Sequence, residues 1–537
     1  MAETVTGGAA VVDSLVAQGV RHVFGIPGTH NLEIYRYLPS SGIRHVVTRH
    51  EQGAGYAADG YARVTGGAGV LITTSGPGIT NAITALATSY ADSVPTLAIS
   101  PGPPRGTVGK DIGWLHELKN QQGALDAVCD RSIRVENADE LPEVIADIFA
   151  GFTSRRPRPV HLEVPVDVLE GEWVRRSVAG RTAVEEAGFA GPTAVGVAGF
   201  GEPTAVEVAA IEAAFAGARR PLLVAGGGAR GAAAEIRALA ANGVPVLTTV
   251  NGKGVVDESD PVALGASIRL PAAHRVIAEA DLVVAVGTEL GDSDLWGGVA
   301  QAAKVVRIDV DPEQLHKNLR ADLAVVGDAR RALQFTTQQF DTSHVSEWQK
   351  AIRADADRDA GPWAAIQDSL KAALPADTVI AGDSSQVTYY GTVHYWRFTT
   401  SNRLLYPTGY ATLGYGLPAA IGAKVAQPER PVIGLFGDGA AMFTIQELVT
   451  ATELRLPLPI IVVNNGGYAE IREQMVDRGI TPQAVDLYQP DLPAMARAIG
   501  AYGVEADSID VLGELAAAAL TADRPTLIHL LLDGTAE

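Results

Sequence analysis

The chain has 537 residues and a formal net charge of −20, from 42 lysines and arginines against 62 aspartates and glutamates. This length exceeds one hydrophobic core and predicts about three domains at roughly 100 to 200 residues each. The acidic balance argues against a nucleic-acid or anionic-membrane partner, because no basic face compensates it. The single cysteine, Cys129, excludes a disulfide framework and fits a reducing cytosol. Because no leader pattern or long apolar run is found, we expect a cytoplasmic protein without membrane spans.

Alternating strand and helix patterns predict an α/β fold of doubly wound parallel sheets. We predict a first domain over 1–175, a middle domain over 204–335 and a third domain over 356–537. Between the first two, residues 176–203 are rich in Gly, Ala and Val and carry a short near-repeat, which is typical of a linker.

Residues 431–467 predict a strand, a helix and a second strand, with a polar turn at the end of each strand. The first strand ends in Gly-Asp-Gly, a helix is predicted over 440–453, and the second strand ends in Asn-Asn. The carboxyl ends of parallel strands lie side by side, so we expect Asp438 and Asn465 to converge. A carboxylate and an amide oxygen beside a helix N-terminus suit Mg²⁺ that holds a diphosphate.

This stretch resembles the signature of thiamine-diphosphate enzymes, in which GDG is followed by NN. The resemblance implies thiamine diphosphate as cofactor and Mg²⁺ bound by Asp438, Asn465 and the carbonyl oxygen of Gly467. Small hydroxyls after an earlier strand, at Ser384 and Ser385, suit phosphate oxygens. Further cofactor contacts are implied for Gly437, Gly439, Ala440 and Tyr468. The alternative is an ordinary Rossmann-like pair of turns, because GDG alone is common.

In the first domain, Glu51 lies where a strand leads into a helix predicted over 55–64. Taken alone, this carboxylate would be an ordinary partner of the helix dipole. The surrounding segment, RHEQGAGYAADGYAR, resembles the one that presents a glutamate to the pyrimidine ring in the same enzymes. The resemblance makes Glu51 catalytic, because that contact lets the ring assist removal of the proton from the thiazolium C2. Cofactor contacts are also implied for Pro27, Gly76 and Asn81, and substrate contacts for Gly28 and Gln52.

The turn over 409–420 precedes the metal signature. In the family, a bulky apolar residue at the position of Leu413 lies beneath the cofactor and holds it bent. The carbonyl at the position of Ala411 accepts a hydrogen bond from the cofactor amino group. Without the resemblance, Leu413 would be interpreted as a core residue.

A polar loop over 109–121 carries a histidine that resembles those which related decarboxylases project towards the substrate. We therefore predict a catalytic role for His116, to protonate or orient the substrate, although a loop histidine is more often only solvated. Glu117, next to it, and Glu470, in the helix after the second metal-site strand, are candidate substrate contacts. Glu470 is equally compatible with helix capping.

In the middle domain, the GxGxxG pattern at 226–231 is interpreted as tight packing, because no acidic residue follows the next strand to bind a ribose. Acetolactate synthases of this superfamily carry a structural FAD here. The Gly-Met-His-Gly and Phe-Asp-Asp-Arg runs associated with it are replaced by the sequences at 265–268 and 289–294. FAD is therefore not expected, and acetolactate chemistry is disfavoured.

The resemblance covers nearly the whole chain and implies non-oxidative decarboxylation of a 2-oxo acid to an aldehyde. An acetolactate-type ligase, which adds the acyl unit to a second carbonyl compound, is the alternative. A thiamine-diphosphate-binding protein without turnover is a remote third possibility, disfavoured by the retained Glu51.

Two finer expectations follow from the resemblance. Segments 26–36 and 114–121 look closest to decarboxylases of guanidino-substituted 2-oxo acids, such as 5-guanidino-2-oxopentanoate. A cationic substrate needs carboxylates, for which the candidates are Glu117, Glu470, Asp292 and Asp294. The active site would form between subunits of a homodimer or homotetramer, with Glu51 and Asp438 from different chains.

Overall fold

The computed structural model describes residues 3–175, 200–296, 298 and 302–532. Within these ranges the chain forms three six-stranded sheets and one two-stranded pairing. The predicted linker lies mostly outside the described residues. The predicted α/β architecture is confirmed, since every pairing within the three large sheets is parallel and helices flank each sheet.

The first sheet belongs to the N-terminal domain. Its strands, in spatial order, are Arg44–Val47, His22–Gly25, Gly69–Ile72, Thr96–Gly102, Val160–Pro165 and Arg131–Arg134. Its α-helices are Gly7–Ala17, Leu32–Ser41, Glu51–Thr65, Pro77–Asn81, Ile83–Ala91, Gln121–Asp126, Leu141–Ser154 and Val166–Glu170. The antiparallel pair Glu3–Thr6 and Glu172–Arg175 joins the two ends of this domain.

The middle sheet has the same doubly wound character. Its strands, in spatial order, are Ala263–Gly265, Val246–Thr248, Pro221–Ala225, Leu282–Val286, Val305–Asp309 and Leu323–Val326. Its α-helices are Ala205–Ala216, Ala233–Ala241, Pro271–Glu279, Asp292–Leu295 and Ala329–Ala332. The helix Val345–Ala360 adds Trp348 and Ile352 to this domain's core and crosses the predicted start of the third domain.

The third sheet carries the metal-signature strands at its centre. Its strands, in spatial order, are Leu404–Leu405, Val379–Gly382, Val432–Gly437, Pro459–Asn464, Thr526–Leu531 and Tyr502–Glu505. Its α-helices are Trp363–Ala373, Gly416–Ala426, Asp438–Thr444, Glu447–Glu453, Ala469–Asp477, Leu492–Ile499 and Ile509–Ala519, and a π-helix covers Val387–Tyr395.

The first and third domains share one hydrophobic core within the chain. The helices Glu51–Thr65 and Gly416–Ala426 cross at glycines. A Cβ atom at Gly60 would lie 2.3 Å from the carbonyl oxygen of Ala419, and one at Gly422 would lie 1.9 Å from that of Ala57. The absence of side chains at these positions therefore sets how closely the two domains approach.

Two helices differ from the sequence prediction. The first-domain helix starts at Glu51 rather than at residue 55, because His50 precedes it in extended conformation and accepts a hydrogen bond from the N–H of Gln52. The helix predicted over 440–453 is broken after Thr444. On the two sides of the break, Thr444 donates to the carbonyl of Gly414 and Glu447 accepts from backbone N–H groups of the first domain, so tertiary contacts override the local pattern.

Among the described residues, no helix has both the length and the apolar character needed to cross a membrane.

Candidate active site

Asp438, Asn465 and Gly467 lie together at the carboxyl edge of the third sheet and form the predicted metal edge. Asp438 is the first residue of its helix, and its Oδ1 accepts from the N–H of Asn465 at 3.3 Å. The segment after the strand Pro459–Asn464 approaches the start of the helix Asp438–Thr444 closely, because Gly439 has no side chain. A Cβ atom there would lie 2.9 Å from the Tyr468 ring and 3.3 Å from the Gly467 carbonyl oxygen. Burial raises the pKa of Asp438 above its ordinary value, so a cation beside it would offset that desolvation.

The donor set at this edge consists of one carboxylate, one amide and one backbone carbonyl. Among the described residues, no three His, Cys, Asp or Glu side chains cluster as a metal site. A cation here would complete its coordination with oxygens of water or of a ligand. This is the usual situation of Mg²⁺ on a phosphate group, which keeps few protein carboxylates.

Two neighbouring turns are fixed by the buried carboxylate of Asp383. It accepts from the N–H groups of Ser384, Gly414 and Gly416 at 2.9, 3.1 and 2.8 Å. Burial raises the pKa of Asp383 to about 7, although these N–H groups act in the opposite direction. Asp383 was not predicted from the sequence as a site residue. It holds the Ser384 turn and the turn before Gly414 in one arrangement.

The other predicted residues of these turns lie next to the metal edge. Ser385 Oγ accepts from the N–H of Gly437 at 3.0 Å. Ala411 has a left-handed backbone with φ of 50°, which is uncommon for a residue with a side chain and often marks a functional turn. Leu413 is half-buried against the core that the first and third domains share.

A cavity of about 1410 Å³ opens over this edge and is lined by residues of all three domains. Its lining includes most of the predicted third-domain residues: Ser384, Ser385, Ala411, Leu413, Gly437, Gly439, Ala440, Asn465, Gly467, Tyr468 and Glu470. Asp292 and Asp294 line it from the middle domain, and burial raises the pKa of Asp294 to about 7.

Gln386 connects the metal edge to a pair of glutamates. Its Oε1 accepts from Asn465 Nδ2 at 3.0 Å, and its Nε2 donates to Glu470 at 3.1 Å and to Glu473 at 2.9 Å. Tyr390 also donates to Glu470, at 3.2 Å. Sequence reasoning missed Gln386 and Glu473, and the acidic helix segment EIREQ was the available signal.

The predicted first-domain residues form a separate group. Glu51 is buried, and its Oε2 accepts from Asn81 Nδ2 at 2.9 Å. Gly78 lies against the other oxygen, with a Cβ position 3.4 Å from Glu51 Oε1. Gln52 donates to the hydroxyl of Tyr56, which in turn contacts Thr412 of the third domain at 2.8 Å.

The remaining predicted residues surround this group. Gly28 approaches Thr74 so closely that a Cβ atom there would lie 2.7 Å from the Thr74 Cβ, and Pro27 precedes it at the exit of the strand His22–Gly25. Gly76 has φ of +59°, and its N–H donates to Gln121 Oε1 at 2.9 Å.

The loop that carries His116 lies on the Gly76 turn. His116 Nδ1 is 3.4 Å from Ser75 Oγ. Glu117 points back into the loop, where it accepts from the N–H groups of Trp114 at 3.0 Å and Ile112 at 3.4 Å. Glu117 therefore stabilises the conformation of its own loop.

Within one chain, the Glu51 group and the metal edge lie at different places. None of Glu51, Gly76, Asn81 and His116 is among the described residues that line the cavity. The start of the Glu51 helix contacts the third domain of its own chain at another point, where Glu447 accepts from the N–H groups of Arg49 and His50 at 3.0 Å.

Comparison with known proteins decides the family. Three domain families match the chain: the N-terminal TPP binding domain of thiamine pyrophosphate enzymes over residues 5–126, their central domain over 208–335 and their C-terminal TPP binding domain over 383–530. A protein named "Probable 2-ketoarginine decarboxylase AruI", from Pseudomonas aeruginosa, is 39% identical over 98% of this chain and 94% of its own length. The chain belongs to the thiamine pyrophosphate enzymes.

Other members of this family are more distant. A "Probable acetolactate synthase large subunit" from Methanocaldococcus jannaschii is 33% identical over 98% of this chain and 92% of its own length. An "Acetolactate synthase" from Arthrospira platensis is 35% identical over 94% of this chain and 90% of its own length.

The residues present fit thiamine diphosphate, the cofactor of the family. The metal edge offers a donor set that leaves coordination positions open for ligand oxygens, and Gly437 and Gly439 line the cavity beside it. In the middle domain, the GxGxxG turn packs against a neighbouring strand exit, with the Cβ position of Gly228 2.9 Å from the Cα of Gly287. The absence of FAD from this domain stays a prediction.

Proposed function

We propose that the chain is a thiamine-diphosphate- and Mg²⁺-dependent decarboxylase that converts a 2-oxo acid to an aldehyde and carbon dioxide. The observation that carries this proposal is the convergence of Asp438, Asn465 and Gly467 at one sheet edge, beneath a large cavity. The 39% identity to a relative whose name states decarboxylation supports the reaction type.

The chain's residues would divide the work as follows. Asp438, the Asn465 amide oxygen and the Gly467 carbonyl would hold Mg²⁺, and Ser384 and Ser385 would bind the phosphates. Leu413 would support the cofactor. When bound, thiamine diphosphate supplies a carbon nucleophile and an electron sink for the departing carbon dioxide. Glu51, which accepts a hydrogen bond from Asn81, would exchange a proton with the pyrimidine ring.

A complete site would require two subunits. The Glu51 group and the metal edge occupy different parts of one chain, so a symmetric dimer in which each group faces its counterpart on the other chain would make two sites. We therefore propose a homodimer or homotetramer. A cytoplasmic location, favoured by the single buried cysteine, also belongs to this proposal.

The substrate class we propose is a 2-oxo acid with a cationic guanidino tail. Glu470 lies in the cavity lining, and Gln386 holds it next to Glu473. Among the ion pairs of the described residues, neither glutamate has a cationic partner. A guanidinium could supply it and bind carboxylate oxygens in a bidentate manner. The 2-ketoarginine in the relative's name is such a compound.

The test measures carbon dioxide release from pyruvate and from branched, aromatic, acidic and guanidino 2-oxo acids, with identification of the organic product. We expect 5-guanidino-2-oxopentanoate to give 4-guanidinobutanal. Glu470→Gln should lower kcat/KM for this substrate by about 10- to 100-fold, which corresponds to the free energy that a hydrogen bond to a charged group contributes. Asp477→Asn, an exposed change in the same helix, is the control. An equal loss for a neutral 2-oxo acid of similar length would contradict the role of Glu470.

Acetolactate formation is the second candidate, because two acetolactate synthases are 33% and 35% identical to this chain. It would show as an acetohydroxy acid rather than an aldehyde in the same assay. A protein that only binds the cofactor would release no carbon dioxide from any 2-oxo acid. The buried Glu51–Asn81 contact argues against this, since binding alone does not require a positioned carboxylate.

A further inference from the structure

We propose that His30, Ser75 and His116 form a proton relay that supplies the proton for aldehyde formation. The inference rests on the proposed function and adds two residues to it. His30 acts through Ser75 and His116 rather than on the substrate itself.

The three side chains lie in a continuous line. His30 Nδ1 is 2.6 Å from Ser75 Oγ, and the same oxygen is 3.4 Å from His116 Nδ1. The two imidazole rings are 5.0 Å apart between centroids, at 70° to each other. Ser75 is fully buried, so its hydroxyl is shielded from solvent between the two histidines.

The surrounding residues hold both rings in place. Trp114 stacks on His30 at 4.4 Å between centroids and an angle of 15°. The backbone of His116 approaches Gly76 so closely that a Cβ atom there would lie 2.5 Å from the His116 carbonyl oxygen. His116 itself has φ of 65°, a left-handed conformation that is uncommon for a residue with a side chain.

The relay lies one turn away from the predicted catalytic glutamate. Ser75 and Gly78 belong to the same turn, and Gly78 contacts Glu51. The relay and Glu51 therefore both lie next to the start of the helix Pro77–Asn81. A substrate bound beside Glu51 would be within reach of the His116 loop.

The charges around the pair disfavour a doubly charged state. Burial and the nearby His116 both lower the pKa of His30. The other acidic groups are held elsewhere, Glu117 by backbone N–H groups of its own loop and Glu51 by Asn81. A second positive charge next to a first is unfavourable, so the two imidazoles are not both positively charged at once.

The proton balance is simple. Decarboxylation of a 2-oxo acid anion to an aldehyde consumes one proton. His116 gives its Nε2 proton to the substrate carbon, and Ser75 passes its hydroxyl proton to His116 Nδ1. Ser75 then takes the Nδ1 proton of His30, and His30 takes a proton at Nε2 from a water molecule, which leaves as hydroxide. Before the next turnover the transfers run in reverse: water protonates His116 at Nε2, the Nδ1 proton of His116 returns through Ser75 to His30, and His30 releases its Nε2 proton to hydroxide. No oxidant or reductant is needed.

Two variants of the holoenzyme test the relay by activity. His30→Ala should lower kcat by about 100-fold, as expected for loss of general acid–base assistance, and leave thiamine diphosphate affinity unchanged. Added imidazole should restore part of the rate of this variant, which a merely structural role would not allow. His45→Gln, a change at a half-buried histidine bonded to Tyr35 in the same domain, is the control and should retain full activity.

A measurement without turnover completes the test. In the full chain with ¹³C-labelled histidine, His116→Gln should raise the NMR titration midpoint of His30, because a lowering neighbour is removed. An unchanged midpoint, or a His30→Ala rate within twofold of wild type, would overturn the relay. If no 2-oxo acid releases carbon dioxide, the proposed function fails, but a shifted His30 midpoint would still support the coupled pair.

Discussion

Gly422→Ala probes the contact on which the relative position of the first and third domains depends. A Cβ atom at this position would lie 1.9 Å from the carbonyl oxygen of Ala57, whereas carbon and oxygen atoms approach to about 3.3 Å. The two crossing helices must therefore move apart by about 1.4 Å. Overpacking of this kind costs typically 1–3 kcal/mol in the free energy of unfolding.

The same displacement should impair catalysis. The moved helix, Gly416–Ala426, directly follows the turn that carries Leu413, so the proposed cofactor contact of Leu413 shifts with it. A misplacement of about 1 Å lowers a rate by about 100-fold. Urea unfolding and kcat report the two effects, and Gly67→Ala, where the nearest atom is 3.7 Å away, is the control. A Gly422→Ala variant as stable and as active as the control would refute the close helix crossing.

Two further predictions concern buried charges. Arg63 lies between Asp59 and Asp92, at 2.6 and 2.7 Å, so Arg63→Met should leave two buried carboxylates without their cation and cost about 3–5 kcal/mol in urea unfolding. A loss below 1 kcal/mol would contradict the buried network. Burial raises the pKa of Glu447 from its ordinary 4.5 to about 6, so the stability it contributes is complete below pH 4.5 and is lost as pH rises through 6. Relative to Glu447→Gln, the free energy of unfolding of the wild type should fall by about 1 kcal/mol between pH 5 and pH 8. If the stabilities of the two proteins changed in parallel with pH, the Glu447 carboxyl would titrate normally.

The sequence predicted the parts of the site that depend on regular structure. Neighbouring parallel strands end at the same edge of a sheet. Because Asp438 and Asn465 each lie at the end of such a strand, their proximity could be predicted. The family and the α/β fold are confirmed. The roles of the individual site residues stay predictions.

Contacts between distant side chains were out of reach of sequence reasoning. Gln386 meets Asn465 across 79 residues, and His30 meets Ser75 across 45. Neither pair has a periodic pattern, because each depends on how two loops approach after the sheets have formed. The helix break after Thr444 has the same origin, since contacts to the first domain and to the Gly414 turn decide it.

We propose that each active site combines Glu51 of one subunit with Asp438 of another. Glu51→Gln and Asp438→Asn chains, each inactive alone, can be co-expressed with different affinity tags and the mixed dimer isolated. One of its two sites then carries both native residues, so we predict about half of the wild-type rate of carbon dioxide release. If both residues of a site came from the same chain, every site in the mixed dimer would carry a substitution and the rate would stay at the level of the single variants.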